Sequence, residues 1–245
     1  MYFEFKKPPN WSTLPLYEKV KIYGNQLNKG HAPYVDKLEV KTLVKKLCPQ
    51  IKVAKVIRQL KGPADFQNSD RNKNHLLKAS HGSGWLLDLD TTSYLQTIKG
   101  ILMSWNKIYT KDDEIQYKYL RPRFFIEEKI DCKYSGKTGK AHDMKVHCIN
   151  GQPYFLLLRK DQKLRNYYDI NWQPVMPLEF TFEKPDNFAT ILEYCRQLSK
   201  PFEYVRVDLY MGVDGVYFSE YTFTPHGGRQ RLSTEVETKY GLLWT

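Results

Sequence analysis

The chain is predicted to fold as an α+β protein in which helices accompany antiparallel hairpins, with no strict alternation of β and α units. Three observations point there. Apolar residues recur at helical spacing at Val40, Leu43, Val44 and Leu47, and again at Leu95, Ile98, Leu102 and Trp105, with shorter strand-like runs between and beyond them. In the second half, short turns at Asn150-Gly151 and at Gly212 with Asp214-Gly215 join pairs of such runs, as hairpin turns do. The 245 residues, 41% of them apolar, suffice for one domain or two closely packed lobes.

In chain order, residues 1–35 are aromatic and punctuated by Pro8-Pro9, Pro15 and Pro33, and read as a lead-in segment packed on the body. Asp36-Lys37-Leu38-Glu39 then opens a helix, with Asp36 as cap and Glu39 at the reciprocal position. This puts Lys37 in the first turn, where a cation opposes the helix dipole unless an anion lies nearby. Residues 51–57 alternate weakly as a strand, residues 62–74 form a polar connection, and His75-Leu76-Leu77-Lys78 is a strand that feeds a glycine loop. After the Leu95 helix comes a strand over residues 123–130. The stretch Ser135-Gly136-Lys137-Thr138-Gly139-Lys140 reads as a boundary between lobes. Strands at 143–148 and 153–159, a helix at 186–198, and strands at 204–210 and 216–221 complete the expected order.

Composition limits the function classes. Thirty-eight basic against 27 acidic residues give a net charge of +11, and residues 36–78 hold eleven basic and four acidic side chains, so an anionic partner is expected. No stretch approaches the roughly 20 apolar residues of a membrane span. The start, Met1-Tyr2-Phe3-Glu4-Phe5-Lys6, shows no charged leader followed by an apolar segment. Cys48, Cys132, Cys148 and Cys195 lie far apart, outside any Cys-x-x-Cys pairing, and read as free thiols of a reducing compartment. A cytoplasmic protein is the expectation, with peripheral association at the inner membrane face as its possible extension.

Two groups of residues carry chemistry. The first is Lys78-Ala79-Ser80-His81-Gly82-Ser83-Gly84-Trp85, where small residues let backbone N–H groups approach anionic oxygens beside a fixed ammonium. It fits neither Gly-x4-Gly-Lys-Ser/Thr nor Gly-x-Gly-x-x-Gly, and a glycine loop after a strand is commonly only a turn. The second is the last hairpin. By period two, Arg206, Asp208 and Tyr210 share one strand face, and Phe218, Glu220 and Thr222 share a face of the return strand, so Asp208 and Glu220 converge. Two close carboxylates call for a cation. Magnesium suits them, because it takes a few carboxylate oxygens and completes its shell with phosphate and water; an Arg206 salt-bridge network without metal is equally open.

Taken in order, Asp36-Lys37, the Lys78 octapeptide, Ile126-Glu127-Glu128-Lys129-Ile130, the run of residues 143–151, and Arg206-Val207-Asp208-Leu209-Tyr210 with residues 217–225 resemble the ATP-grasp superfamily. More narrowly they resemble its TupA-like branch, the teichuronopeptide-biosynthesis proteins of surface-polysaccharide gene clusters, from about residue 16 to the end. The resemblance implies an ATP-grasp fold of two α+β lobes clasping ATP, with an N-lobe over 36–130 and a C-lobe with the metal site over 131–245. It implies that Lys37 and Lys78 contact the phosphates, that Ser80, His81, Gly82, Ser83 and Gly84 close over them, and that Glu127, Glu128 and Ile130 meet the adenine. Lys145 matches a basic position facing the phosphates or the acceptor, and Asp208 and Glu220 match the magnesium carboxylates. Where the superfamily has Asn two residues after the second carboxylate, this chain has Thr222, a poorer metal ligand. Arg159 and Arg206 are candidates for stabilising the transferring phosphoryl group or gripping a carboxylate.

The implied reaction is ATP-dependent activation of a carboxylate to an acyl phosphate, followed by amine attack. Catalysis then rests on positioning and charge neutralisation, in keeping with a chain that shows no nucleophile–base triad. The expected partners are a small-molecule or glycan carboxylate, such as a uronic acid, an amine donor, and polysaccharide-synthesis enzymes at the membrane surface; no nucleic acid is expected. Alternatives are an ATP-dependent sugar kinase, a glycosyltransferase-associated polysaccharide-modifying enzyme, and a non-enzymatic basic–aromatic module that binds glycan or nucleic acid.

Overall fold

The computed structural model describes residues 5–89, 94–110, 113–132, 142–160, 165–178 and 180–245. Among these residues lie helices α1 (Leu16–Gly24), α2 (Ala32–Val35), α3 (Glu39–Leu47), α4 (Leu95–Trp105), α5 (Phe188–Ser199) and α6 (Thr234–Leu242). The strands are β1 (Lys52–Val53), β2 (Val56–Leu60), β3 (His75–Ala79), β4 (Leu86–Asp88), β5 (Phe124–Glu128), β6 (Asp143–Ile149), β7 (Gln152–Arg159), β8 (Arg165–Asp169), β9 (Tyr204–Gly212) and β10 (Gly215–Thr222). The chain divides into two units, a larger one of Met1–Leu27, Val44–Lys52 and Asp131–Thr245, and a smaller one of Asn28–Leu43 and Val53–Ile130. The expected boundary at Ser135-Gly136-Lys137-Thr138-Gly139-Lys140 lies outside the described residues.

The smaller unit is built on an antiparallel sheet of order β2-β5-β3-β4. Period two sorts its strands: Leu60, Leu77, Ala79, Phe124 and Ile126 point to one side and bury against Ile98 and Leu102 of α4 and against Phe66 and Leu89. α4 presents that stripe because Leu95, Ile98, Leu102 and Trp105 recur every third or fourth residue. Each such side chain contributes about 1.5–3 kcal/mol when fully buried. The alternate residues Lys78 and Glu127 therefore belong to the opposite sheet face. Asp36 caps α3 as expected, its Oδ1 accepting from the N–H groups of Leu38 (2.9 Å) and Glu39 (3.1 Å). Glu39 does not return the bond, because the Asp36 N–H donates to the Ala32 carbonyl and the Glu39 carboxylate pairs with Arg123 at 2.9 Å.

The strand expected over residues 51–57 is in fact two, one in each sheet. The chain breaks between them because the Ala54 carbonyl accepts from Lys41 Nζ (2.7 Å) and the Lys55 N–H donates to Glu128 Oε1 (2.8 Å), side-chain partners in place of ladder partners.

The larger unit carries a six-stranded sheet of order β1-β10-β9-β6-β7-β8. Met144, Val146, Cys148, Leu156, Leu158, Val205, Val207 and Leu209 form its buried apolar face, over which α5 packs with Ile191, Cys195 and Leu198. The β6–β7 hairpin closes through Asn150 (φ 50°) and Gly151 (φ 73°), both left-handed, as a tight two-residue turn requires. The lead-in segment contributes α1 and α2, with Trp11, Leu16, Val20 and Tyr23 buried. All four cysteines are free thiols. No helix among the described residues is long and apolar enough to cross a membrane.

Candidate functional site

In the smaller unit, β3 and β5 place Lys78 and Glu127 diagonally across from each other on one sheet face, and Lys78 Nζ forms an ion pair with Glu127 Oε1. Lys41, one helical turn beyond Lys37, reaches Glu127 Oε2 at 2.9 Å. Burial alone would push the Glu127 carboxyl up, but Lys78 and Lys41 outweigh it and hold it below the usual glutamate value. Glu127 is thus ionised between two ammonium groups, and the trio keeps one net positive charge.

The loop after β3 is anchored from beneath. Ser80 donates its N–H to the Arg123 carbonyl (2.9 Å) and its hydroxyl to Asp36 Oδ2 (3.1 Å). Both ring nitrogens of fully buried His81 are taken by main chain: Nδ1 accepts from the Arg123 N–H (3.2 Å), so Nε2 is the donor to the Trp105 carbonyl (3.0 Å). Gly82 packs so tightly that a Cβ would lie 2.6 Å from the Trp85 ring and 2.9 Å from the Tyr109 ring. Lys37 donates its main-chain N–H to the Ser80 carbonyl (3.1 Å) and its Nζ to the Gly82 carbonyl (2.5 Å). Only Ser83 and Gly84 of the five loop residues are open to solvent. At the end of β5, the Glu128 N–H donates to the Lys55 carbonyl (3.0 Å), while Ile130 makes no hydrogen bond to a described residue.

In the larger unit, the sheet face away from α5 is charged and its register forms rungs. One rung runs Tyr167, Leu157, Lys145, Asp208, Glu220 across β8, β7, β6, β9 and β10; the next runs Asp169, Phe155, His147, Arg206, Thr222. Arg206 chelates fully buried Asp208 through Nε–Oδ1 (2.6 Å) and Nη2–Oδ2 (2.7 Å), and Lys145 Nζ reaches Oδ2 at 2.6 Å. Burial opposes all three charges, yet mutual attraction prevails, so Asp208 is held below the ordinary aspartate range while Lys145 and Arg206 are raised. Thr222 Oγ1 accepts from Arg206 Nη2 (3.1 Å). The Glu220 carboxylate, half-buried and directly opposite Asp208, has no hydrogen bond or ion pair to a described residue.

A bulge between Phe218 and Glu220 corrects the expected faces of the return strand: Phe218 pairs with Leu209 on the apolar side, whereas Glu220 and Thr222 pair with Asp208 and Arg206. The extra residue shifts the alternation by one. Arg159 stands one rung away, opposite Asp143 and Arg165.

The model of the family described as TupA-like ATPgrasp matches residues 18–242. This chain belongs to the TupA-like ATP-grasp family. Its α+β architecture is the ATP-grasp fold, and similar solved structures include the D-alanine–D-alanine ligase from Bacillus anthracis (14% identity, TM-score 0.51, 86% of this chain and 64% of that one). Another is the N5-carboxyaminoimidazole synthase from Aspergillus clavatus in complex with ADP and its ribonucleotide (14% identity, TM-score 0.50, 86% of this chain and 52% of that one). The chain spans 52–64% of the length of the solved structures it matches. A search of curated proteins finds no match.

For a TupA-like ATP-grasp protein, the donor set can be tested against the cofactors the family implies. Among the described residues no group of three or more His, Cys, Asp and Glu side chains could hold a metal by itself. Asp208 with Glu220 supplies two carboxylates on one rung, but both Asp208 oxygens already accept from Arg206 and Lys145 and have only their remaining lone pairs to offer; the set fits a magnesium ion that takes most of its ligands from phosphate and water, and does not fit an all-protein cage. Thr222 is already engaged by Arg206.

Lys41 is the site residue the sequence reading passed over. Its signal was there, since Lys37 and Lys41 are four apart and so share a helix face. The Asp36–Arg123 ion pair (2.5 Å) beneath the loop had no such signal, because the two residues are 87 positions apart.

Proposed function

We propose that this chain is a Mg-ATP-dependent carboxylate–amine ligase that works through an acyl phosphate, in two lobes corresponding to residues 36–130 and 131–245. The observation that carries the reading is the single rung on which Lys145, Asp208 and Glu220 stand, with Arg206 locked onto Asp208. Two carboxylates and two cations on one sheet face suit a magnesium-bound polyphosphate better than a nucleophile–base pair.

In this reading Lys37 and Lys78 neutralise phosphate oxygens, and the N–H groups of Ser83 and Gly84 cradle them. Main-chain groups of Glu128 and Ile130, with Glu127, receive the adenine. Magnesium, bound by Asp208 and Glu220, supplies neutralisation of the phosphate charge. Lys145 and Arg206 orient the transferring phosphoryl group and stabilise the charge that develops on it. The acceptor carboxylate oxygen attacks the γ-phosphorus and ADP leaves; the amine then attacks the acyl carbon, phosphate leaves with the electron pair, and the amine loses a proton. The family's surface-polysaccharide context suggests a uronic acid as acceptor, an amino acid or amine as donor, and action beside polysaccharide-synthesis enzymes at the cytoplasmic face of the membrane.

The test combines an ADP-release screen over uronic acids and amino acids with hydroxylamine trapping. An acyl phosphate yields a hydroxamate dependent on Mg-ATP. ADP release with a phosphorylated sugar hydroxyl and no hydroxamate would replace the ligase by a kinase, and unaltered Mg-ATP affinity in the Asp208→Ala, Glu220→Ala double variant would remove the metal assignment.

A further inference from the structure

On the charged face of the larger unit's sheet, the rung beside Lys145, Asp208 and Glu220 runs Arg165, Arg159, Asp143, Tyr210 and Tyr217. Arg159 and Arg165 are direct cross-strand partners on β7 and β8. Like charges so placed repel. The carboxylate nearest by register, Asp143, attracts Arg159 only through space: it forms no ion pair with either arginine, and one of its oxygens, Oδ1, is buried without a partner. Arg159 is half-buried, Arg165 is exposed, and neither guanidinium has a hydrogen bond or ion pair to a described residue.

His226 feels the charge of the same arginines. It lies past β10 in a turn where His226, Gly227 and Gly228 take left-handed backbone in succession (φ 50°, 65° and 73°). Left-handed backbone is uncommon outside glycine, and histidine is among the few residue types that adopt it more readily. Partial burial and the facing charges of Arg206, Arg165, Arg159 and Lys145 keep its pKa below the ordinary imidazole value. At neutral pH it is therefore an uncharged ring with one N–H to donate.

From this geometry we propose that Arg159, Arg165 and His226 form a subsite for an anionic group of the acceptor other than the carboxylate that is activated. Successive same-face positions on a strand are about 7 Å apart, so the second charge sits roughly that far from the group held at Lys145. The acceptor class is then an acid carrying at least two carboxylates, a short oligomeric acid, which two adjacent guanidinium groups can grip bidentately. The inference rests on the ligase reading for the identity of the first carboxylate.

The test is calorimetric titration of the full chain with three probes at fixed ionic strength: a glucuronate trimer, a glutamate trimer and neutral maltotriose. Mg-ATP affinity is measured in parallel. One acid trimer binds in preference to the other, which identifies the source of the carboxylates, and maltotriose does not bind. Arg165→Gln, alone and with Arg159→Gln, weakens the preferred trimer by about tenfold to a hundredfold, the scale of losing charge-assisted hydrogen bonds. Lys46→Gln, which removes the same charge from an exposed site on α3, changes it by less than about twofold. The subsite is overturned if neither acid trimer binds the wild-type chain, or if Arg165→Gln behaves like Lys46→Gln. Failure of the wild-type chain to bind Mg-ATP would instead sink the ligase reading, and the trimer titrations would still decide the subsite.

Discussion

Glu127 shows how a single carboxylate can organise two cations. With Lys78 on Oε1 and Lys41 on Oε2, neither ammonium is free to wander, and the three charges present a fixed positive centre. Removing one partner leaves the buried carboxylate half-compensated, so Lys41→Met is expected to cost about 1–3 kcal/mol. The pH dependence has a definite sign. The folded pKa of Glu127 lies below its unfolded value, so the pair's contribution is complete above the ordinary glutamate pKa and is lost as pH falls through the depressed folded value. Lys41→Met raises the folded value and moves that loss to higher pH, which urea midpoints measured across the acid range would reveal. An unmoved acid limb would mean that Lys41 does not hold Glu127. Gly82 makes a steric counterpart. A methyl group there meets the Trp85 and Tyr109 rings at 2.6 and 2.9 Å, so Gly82→Ala should cost about 1–3 kcal/mol and raise the KM for ATP by displacing the loop. Wild-type stability and KM would show that the rings yield.

The secondary-structure elements differ in how far their local sequence specifies them. The β6–β7 hairpin is legible because Asn150-Gly151 demands a left-handed turn, and together with a register shift between His147 and Cys148 it sets the rungs that carry Lys145 and Arg159. Gly151→Ala forces an L side chain into φ 73° and brings its Cβ to 3.3 Å from the Lys200 backbone. The expected cost is about 1–2 kcal/mol, seen as a lower urea midpoint at unchanged slope, with Mg-ATP affinity retained; retained stability would contradict the strain. The bulge in β10 is the opposite case. Nothing in Tyr217-Phe218-Ser219-Glu220 marks an extra residue, so period two puts Phe218 on the wrong face while still bringing Glu220 to Asp208. β8 was missed for a related reason: its burial alternates, but its residues, Arg165-Asn166-Tyr167-Tyr168-Asp169, are mostly polar or charged, because one of its faces belongs to the charged rungs. Propensity reads strands from apolar runs, and strands that serve a polar site lack them. The Lys78 loop and the Asp208–Glu220 pair were legible because residue types and spacing carry their chemistry. The ion pairs beneath the loop were not, since they depend on which distant segments meet.

The larger unit draws on three separate stretches of chain, so its integrity depends on contacts that close very long loops. Lys19 is one of them. On α1, fully buried, it donates Nζ to the carbonyls of Gly241 and Trp244 at 2.8 Å each, and it lies 4.8 Å from the Trp11 ring centroid. These are carbonyls at the end of α6, where a cation also complements the helix dipole. Around them pack Phe5, Trp11, Tyr23 and Trp244, edge-to-face or tilted, which gives the first turns of the chain a role the sequence did not disclose. Lys19→Met keeps most of the apolar stem but orphans both buried carbonyls, at an expected cost of about 1–3 kcal/mol. For a chain of this size that lowers Tm by about 2–12 °C. Burial and nearby Lys7 lower the Lys19 pKa, so between its folded and unfolded values the unfolded chain binds more protons and stability rises with pH. The methionine variant lacks that rise. The gap in stability between wild type and variant should therefore widen as pH climbs toward the ordinary lysine range. A gap that narrows over the same interval would show that Lys19 is not the buried ammonium that joins α1 to α6.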